Sequence, residues 1–96
     1  MPLSIIELPK YVKQFKKLRR SVQVAVEDQV EYLLENPLVG EQKTADIFFI
    51  RVHKFKVGRQ LYLLACELDE PENTLSLYSI DTHENFYRDL KKYLKS

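Results

Sequence analysis

The stretch RVHKFKVGRQLYLLAC, residues 51–66, carries the clearest fold signal in the chain. Its first half alternates, so positions 51, 53, 55 and 57 fall on one face of a strand and positions 52, 54 and 56 on the other. Gly58 and Arg59 mark a turn. The second half is apolar from Leu61 to Cys66, which is typical of a central strand covered on both faces. The stretch therefore predicts a β-hairpin within a sheet.

Two helices are predicted before this hairpin. Leu3–Leu8 first predicts a short strand at a sheet edge, because Pro9 ends it. Apolar residues then recur at helical spacing in two successive segments. Ser21 is the expected N-cap of the second helix, and Asn36-Pro37 is its expected stop. Only Arg19-Arg20 separates the two segments, which favours a helical hairpin.

The remaining patterns complete the fold. Residues 47–50 are solidly apolar and open the β region. Residues 74–80 alternate, and this alternation puts Ser79 on the face of Leu75 and Leu77. A helical stripe of Phe86, Leu90 and Leu94 ends the chain. The prediction is an α+β domain spanning residues 1–96, of order β-α-α-β-β-β-α, with a helical hairpin on a small, mostly antiparallel sheet and a C-terminal helix.

Composition excludes several protein classes. The chain has 96 residues, 45% of them hydrophobic and 30% charged, which fits one small globular domain. No apolar run approaches the roughly 20 residues of a membrane span, and no leader pattern opens the chain. The single cysteine, Cys66, cannot form an internal disulfide. We therefore expect a cytoplasmic protein that does not enter membranes.

The distribution of charge is more informative than its total. The net charge of +1 gives no overall case for nucleic-acid binding. However, residues 10–20 hold six basic residues and no acid, while acids collect in residues 27–35 and 67–72. The first basic segment suits either an electrostatic footprint, an acidic partner or a solvated helix face. The surface is predicted to be dipolar.

Lys54, Lys56 and Arg59 form a second basic group, on the predicted hairpin. Lys54 and Lys56 lie on one strand face about 6–7 Å apart, a spacing that suits neighbouring phosphates of RNA or DNA. No carboxylate between Asp46 and Glu67 is available to neutralise them. These three residues are our candidates for RNA binding. The alternative is the ordinary polar face of a half-buried sheet.

His83, Tyr87 and Arg88 are the candidate catalytic residues. His83 lies where the last strand gives way to a helix, and histidine titrates near working pH. Tyr87 follows at i+4 on the same helix face and can stack on a base, whereas Arg88 points about 100° further round and can hold a phosphate. The structural alternatives are a helix-start residue for His83, a core-covering ring for Tyr87 and a salt bridge to Glu84 for Arg88.

The sequence shows no pattern typical of a reactive cysteine, a zinc site or a phosphate-binding loop. Cys66 lies in the most apolar stretch and is predicted to be a buried, inert thiol. Two histidines and one cysteine lack the spacing of a zinc site, and there is no glycine-rich phosphate loop. We expect neither a metal nor a cofactor.

Five short segments, in this order along the chain, resemble the RelE/ParE superfamily of bacterial toxins. They are residues 15–18 (FKKL), 35–41 (ENPLVGE), 52–57 (VHKFKV), 60–65 (QLYLLA) and 83–91 (HENFYRDLK). The resemblance covers nearly the whole chain. It implies the fold predicted above and the toxin half of a type II toxin–antitoxin system, with a cognate antitoxin protein as partner.

The resemblance also implies two possible activities. RelE-type members cleave messenger RNA, commonly on the ribosome, with basic sheet residues and a C-terminal histidine, tyrosine or arginine. ParE-type members inhibit DNA gyrase without that catalytic set. Lys54 and Lys56 resemble the paired lysines of the nucleases, and Thr82-His83 resembles the ending of YafQ-like ribonucleases, whose histidine is catalytic.

The expected function is thus a metal-independent mRNA endoribonuclease that inhibits translation. The alternatives are a gyrase inhibitor without chemistry of its own and an inactive relative kept for antitoxin binding. The sequence predicts neither the oligomeric state nor the cleavage specificity.

Overall fold

The computed structural model describes residues 3–37, 41–42, 50–84, 86, 88–89 and 92. The elements are β1 (Ser4–Glu7), α1 (Pro9–Lys17), α2 (Arg20–Glu35), β2 (Glu41–Gln42), β3 (Arg51–Val57), β4 (Gln60–Asp69) and β5 (Thr74–Thr82). The described residues after β5 have helical backbone. Most of the predicted C-terminal helix and the apolar residues 47–49 lie outside the described residues. Among the described helices, none is long and apolar enough to cross a bilayer.

The strands form one mixed sheet in the order β1-β5-β4-β3-β2. β1 pairs with β5 in parallel, and the other pairs are antiparallel. The predicted α+β class, the edge position of β1 and the mostly antiparallel sheet are confirmed. The two-residue strand β2 is an addition that the sequence patterns did not predict.

The predicted hairpin is present as β3 and β4, paired in continuous register from Arg51↔Cys66 to Val57↔Gln60. Gly58 and Arg59 alone connect the strands, and Gly58 has a φ of 63°. A left-handed glycine at the first position of a two-residue turn matches the right-handed twist of the flanking strands. The turn thus fixes the register and places Arg59 at the hairpin tip.

β4 is buried on both faces, as its apolar run predicts. Leu64 and Cys66 join the core formed with the helical hairpin, which also holds Tyr11 of α1 and Val26 of α2. On the opposite, second face of the sheet, the neighbouring side chains of β4 pack with Ile50, Val52 and Phe86 instead. The sheet therefore lies between the helical hairpin and the start of the C-terminal segment.

A β-bulge interrupts the predicted alternation of side chains along β5. Ala65 pairs with Ser79 but Cys66 pairs with Leu77, so Tyr78 is an extra residue in β5. The extra residue reverses the alternation beyond it. Ser79 consequently lies on the second face, beside Ala65, and the prediction that it shares a face with Leu77 is wrong.

The start of α2 also differs from its prediction. Arg19, not Ser21, is the N-cap residue, and no side chain caps the helix. The hydroxyl of Ser21, inside the first turn, accepts a hydrogen bond from Arg19 Nε at 3.2 Å. The predicted stop is correct, since the helix ends at Glu35 with Asn36 as C-cap.

Gln14 of α1 occupies the edge of the sheet where β1 has ended. β1 pairs with β5 only as far as Glu7↔Leu77, which leaves the later part of β5 without a strand neighbour on that side. The Ile80 backbone N–H donates to Gln14 Oε1 at 3.0 Å, and Gln14 Nε2 donates to Asp81 Oδ2 at 3.4 Å. The amide of Gln14 thus replaces a strand partner and fixes α1 against β5.

We predict that Gln14→Ala lowers the free energy of unfolding by about 1–3 kcal/mol, because it removes the acceptor of a part-buried N–H. Urea titration of both proteins measures the difference. Gln60→Ala is the control, since Gln60 is exposed and its described side-chain hydrogen bond is to the carbonyl of Leu61; its effect should stay within about 0.5 kcal/mol. Equal effects of the two substitutions would contradict the role of Gln14.

Candidate functional site

Lys54 and Lys56 lie on the second face of the sheet. Their partners on β4 are Leu63 and Leu61, and Leu63 belongs to the core of that face. Both lysine side chains are exposed. The predicted division of β3 is therefore correct: His53 and Phe55 face the helical hairpin, whereas the two lysines face away from it.

The sheet register aligns the lysines with the end of β5. Lys54 pairs with Leu63, which pairs with Asp81, so these residues form one row across three strands. Lys56 lies two residues further along β3, on the same face, and pairs with Leu61. Between the two lysines, Phe55 shares a row with Tyr62 and Thr82, the last residue of β5. His83, the first helical residue after β5, follows Thr82 directly and therefore lies at the level of the lysines.

Arg59 is at the same end of the sheet. Together with Gly58 it forms the β3–β4 turn, which the pair Val57↔Gln60 closes. The Arg59 side chain is exposed. The structure thus brings Lys54, Lys56, Arg59 and His83 to one end of the molecule. We refer to this group as the hairpin-end site.

Phe86 separates this site from the rest of the second face. Its side chain is 1% exposed and packs with Val52, Leu63 and Ala65. The start of the C-terminal segment therefore covers the middle of the second face, while the lysine rows beside the turn remain exposed.

Arg88 is not in these rows. Its side chain is 78% exposed, and its Nε lies 3.8 Å from Asp89 Oδ1, so the described ion pair is with Asp89 and not with Glu84. The Asp89 carbonyl accepts a hydrogen bond of 3.1 Å from Lys10 Nζ, at the start of α1. This contact draws the segment away from the hairpin turn. Tyr87, the third catalytic candidate, lies outside the described residues.

Asp81 is a site neighbour that sequence reasoning did not select. It shares a row with Lys54, and its Oδ1 accepts the Thr82 backbone N–H at 2.8 Å. Its other oxygen faces Gln14. Both carboxylate oxygens are thus engaged at the junction that precedes His83, and only the register, which the sequence does not contain, reveals that Asp81 lies near the lysines.

The second histidine, His53, has a structural environment. Its ring stacks between Tyr32 and Phe55 with centroids 6.0 Å from each, and its Nε2 donates to Gln29 Oε1. Burial lowers the pKa of His53 below its ordinary value of 6.5. The ring is therefore a neutral part of the contact between α2 and β3.

Cys66 has the inert character that its apolar surroundings predict. It is 1% exposed, and burial raises the pKa of its thiol to about 11 despite an opposing effect of Arg51. Such a thiol does not act as a nucleophile near neutral pH. Within the part of the chain that the structure describes, no three histidine, cysteine or acidic residues gather as possible metal ligands.

A groove of about 500 Å³ lies between β1, α1 and α2, on the other side of the molecule. Its apolar lining includes Ile5, Phe15 and Leu34, and four acids border it: Glu7, Glu27, Asp28 and Glu31. Burial, followed by the charges of Glu7 and Glu27, raises the pKa of the lining Tyr11 far above its ordinary value. The groove is therefore both apolar and acidic, in contrast to the basic hairpin-end site.

Comparison with known protein families identifies one family that matches most of the chain. Residues 5–91 match the profile of the ParE-like toxins of type II bacterial toxin–antitoxin systems. No curated protein matches the sequence.

Solved structures with similar folds include two toxin–antitoxin complexes and a free toxin. The RelBE2 complex of Mycobacterium tuberculosis matches with a TM-score of 0.76 and 18% identity over 86% of this chain and 100% of that chain. A mutant of Escherichia coli toxin RelE in the free state matches with a TM-score of 0.76 and 17% identity, over 97% of this chain and 98% of that chain. The intact E. coli RelBE complex matches with a TM-score of 0.70 and 17% identity, over 85% of this chain and 98% of that chain. At such low identity these likenesses establish the fold alone.

We predict that acid destabilises this protein partly through His53. Its pKa is lower in the folded than in the unfolded chain, so the unfolded chain binds more protons, and stability falls as pH falls below 6.5. Urea midpoints at about pH 7.5 and about pH 5.5 measure this loss. His53→Gln does not titrate there and should lose less stability between the two pH values; an unchanged loss would exclude His53 as a source.

Proposed function

The chain belongs to the ParE-like toxins of type II bacterial toxin–antitoxin systems, and from this premise we propose that it is an endoribonuclease that cleaves messenger RNA. The observation that carries the proposal is the hairpin-end site, where Lys54 and Lys56 flank the row in which β5 ends at Thr82, and His83 follows Thr82 directly. Exposed cations beside a histidine are suited to binding a phosphodiester and moving protons at it.

In the proposed reaction the nucleophile is the RNA itself. The 2′-oxygen attacks the adjacent phosphorus and the bond from phosphorus to the 5′-oxygen breaks, which leaves a 2′,3′-cyclic phosphate and a 5′-hydroxyl. The 2′-hydroxyl loses a proton and the leaving 5′-oxygen gains one. His83 performs one of these transfers, and Lys54 and Lys56 stabilise the charge on the phosphorane. This chemistry requires no metal.

The other candidate residues have supporting roles in this proposal. Arg59, at the turn, binds a neighbouring phosphate of the same strand. Tyr87 stacks on a base, and Arg88 reaches the phosphate only if the C-terminal segment moves, because the Lys10 contact to Asp89 draws that segment away. We therefore rank Arg88 below His83 as a catalytic residue.

A cognate antitoxin is the expected protein partner. RelBE2 of M. tuberculosis and RelBE of E. coli, which share this fold, are toxin–antitoxin complexes. The groove beside β1 supports such a partner, because β1 is an edge strand and its Ile5 and Ile6 are 41% and 42% exposed. Both the toxin and this complex would act in the cytoplasm, where mRNA and ribosomes are found.

The alternative is a toxin that inhibits DNA gyrase and has no catalytic residues. The match to the ParE-like profile favours it. In that case the hairpin-end site is a protein-binding surface, and His83 only begins the C-terminal helical segment.

We predict that His83→Ala reduces RNA cleavage by about 10²–10⁴-fold, since a general acid or base contributes that much. Because His83 is exposed, the variant should keep the wild-type circular dichroism spectrum and unfolding midpoint. Cleavage of a fluorescent RNA by the purified proteins measures the effect. Full growth arrest by the variant, with filamentation and DNA breaks in place of cut messages, would favour gyrase inhibition.

For Lys56→Ala we predict a loss of about 10²-fold in cleavage rate, because one fixed charge near the transition state is removed. Lys56→Arg should retain part of the rate, as it keeps the cation. Lys92→Ala is the matched control: Lys92 is also exposed but comes after Asp89, beyond the segment that contacts the start of α1. If Lys56→Ala and Lys92→Ala had the same small effect, the sheet face would not be the site.

A further inference from the structure

Four exposed basic residues surround the junction of the two helices. Lys16 and Lys17 end α1, and Arg19 and Arg20 begin α2. Arg19 Nε donates to Ser21 Oγ at 3.2 Å, and Arg20 Nη1 donates to Gln23 Oε1 at 3.4 Å, so their described bonds are to neutral groups. We call these four residues the basic corner.

The role of the arginines is not explained by the helix that they begin. A helix N-terminus carries partial positive charge, so cations there destabilise the helix by a few tenths to about 1 kcal/mol. The first turn of α2 contains no acid to compensate. Lys16 and Lys17 do suit the C-terminal end of α1. Arg19 and Arg20 thus have a structural cost, which a function outside the fold would justify.

The sequence around the basic corner carries only positive charge. No acidic residue occurs between Glu7 and Glu27 in the sequence. Those two acids border the groove, together with Asp28 and Glu31. Because the chain has a net charge of only +1, it is this separation of charges that makes one surface attractive to a polyanion.

The basic corner lies at the same end of the molecule as the hairpin-end site. β1 runs parallel to β5 and leads into α1, whose Gln14 bonds Ile80 and Asp81 near the end of β5. The last turn of α1 therefore lies beside the final residues of β5. The last of those residues, Thr82, pairs with Tyr62, three positions after Arg59 of the β3–β4 turn. Arg59 is exposed at that turn.

From this arrangement we infer that the basic corner binds the phosphates of single-stranded RNA, and that one strand runs from Lys54 and Lys56 past Arg59 to the helices. The inference rests on the proposed function and extends its substrate site. Single strands suit this path, because a flexible backbone can bend around the end of the sheet, whereas a stiff duplex cannot. The basic corner would thus add affinity for the RNA without any catalytic group.

The experiment measures binding of 2′-O-methyl RNA, which lacks the attacking hydroxyl, at several salt concentrations. Each phosphate contact contributes about 0.7 to the slope of log affinity against log salt for single strands. Arg19→Gln and Arg20→Gln should each lower the slope by about 0.7, and the double variant by about 1.4. Arg20→Lys, which keeps the charge, should retain the slope. Lys92→Gln, the same charge change at a distant position, should also leave it unchanged.

RNA length gives a second test of the path. The arginine variants should weaken binding of a strand of about 12 nucleotides several-fold but leave a strand of about 4 nucleotides unaffected, because the short strand fills only the lysine site. If the arginine variants kept the wild-type salt slope and still cleaved RNA, the basic corner would not be an RNA-binding site, while the proposed nuclease activity would stand. If the wild-type protein neither bound nor cut RNA, both proposals would be overturned.

Discussion

The burial of β4 on both faces is the constraint on which the rest of the structure depends. Five consecutive residues, Tyr62 to Cys66, are buried, so each face of the sheet needs a cover. The helical hairpin covers one face and Phe86 covers the middle of the other. Lys54 and Lys56, beside the β3–β4 turn, are exposed on that second face. The packing of the core thus positions the hairpin-end site.

Separation of charge then gives the two sides of the molecule different roles. The groove between β1, α1 and α2 combines apolar side chains with four acids. The hairpin-end site and the basic corner hold basic residues instead. A nearly neutral protein can therefore offer one surface to a polyanion and another to a protein partner. For a toxin of this family, such a division would let the substrate and the antitoxin meet different surfaces.

Local patterns were sufficient to predict most of the fold. Period-two alternation assigned the faces of β3 correctly, and Pro9 marked β1 as an edge strand. Ser79 was assigned to the wrong face because a bulge depends on how two strands pair, which one strand's sequence does not record. The N-cap of α2 was also misplaced, since the chain there uses an uncapped arginine in place of the serine that the pattern favours.

The candidate site was predictable in its residue types but not in its arrangement. The absence of acids between Asp46 and Glu67 in the sequence indicated a basic surface. Three features depend on contacts between segments distant in the chain: the end of β5 beside the lysines, the position of Asp81, and the Lys10 contact that draws Arg88 away. Helical spacing already turned Arg88 away from the helix face of His83, and the structure adds the contact between its segment and the start of α1.

The chemistry of the product ends tests the central claim most directly. Purified protein is incubated with a defined RNA and a chelator of divalent metals, and the fragments are analysed by mass spectrometry. Attack by the 2′-hydroxyl predicts fragments with a 2′,3′-cyclic phosphate at one end and a 5′-hydroxyl at the other, formed without metal. RNA left intact with or without added ribosomes, by a protein that still arrests growth, would contradict the account.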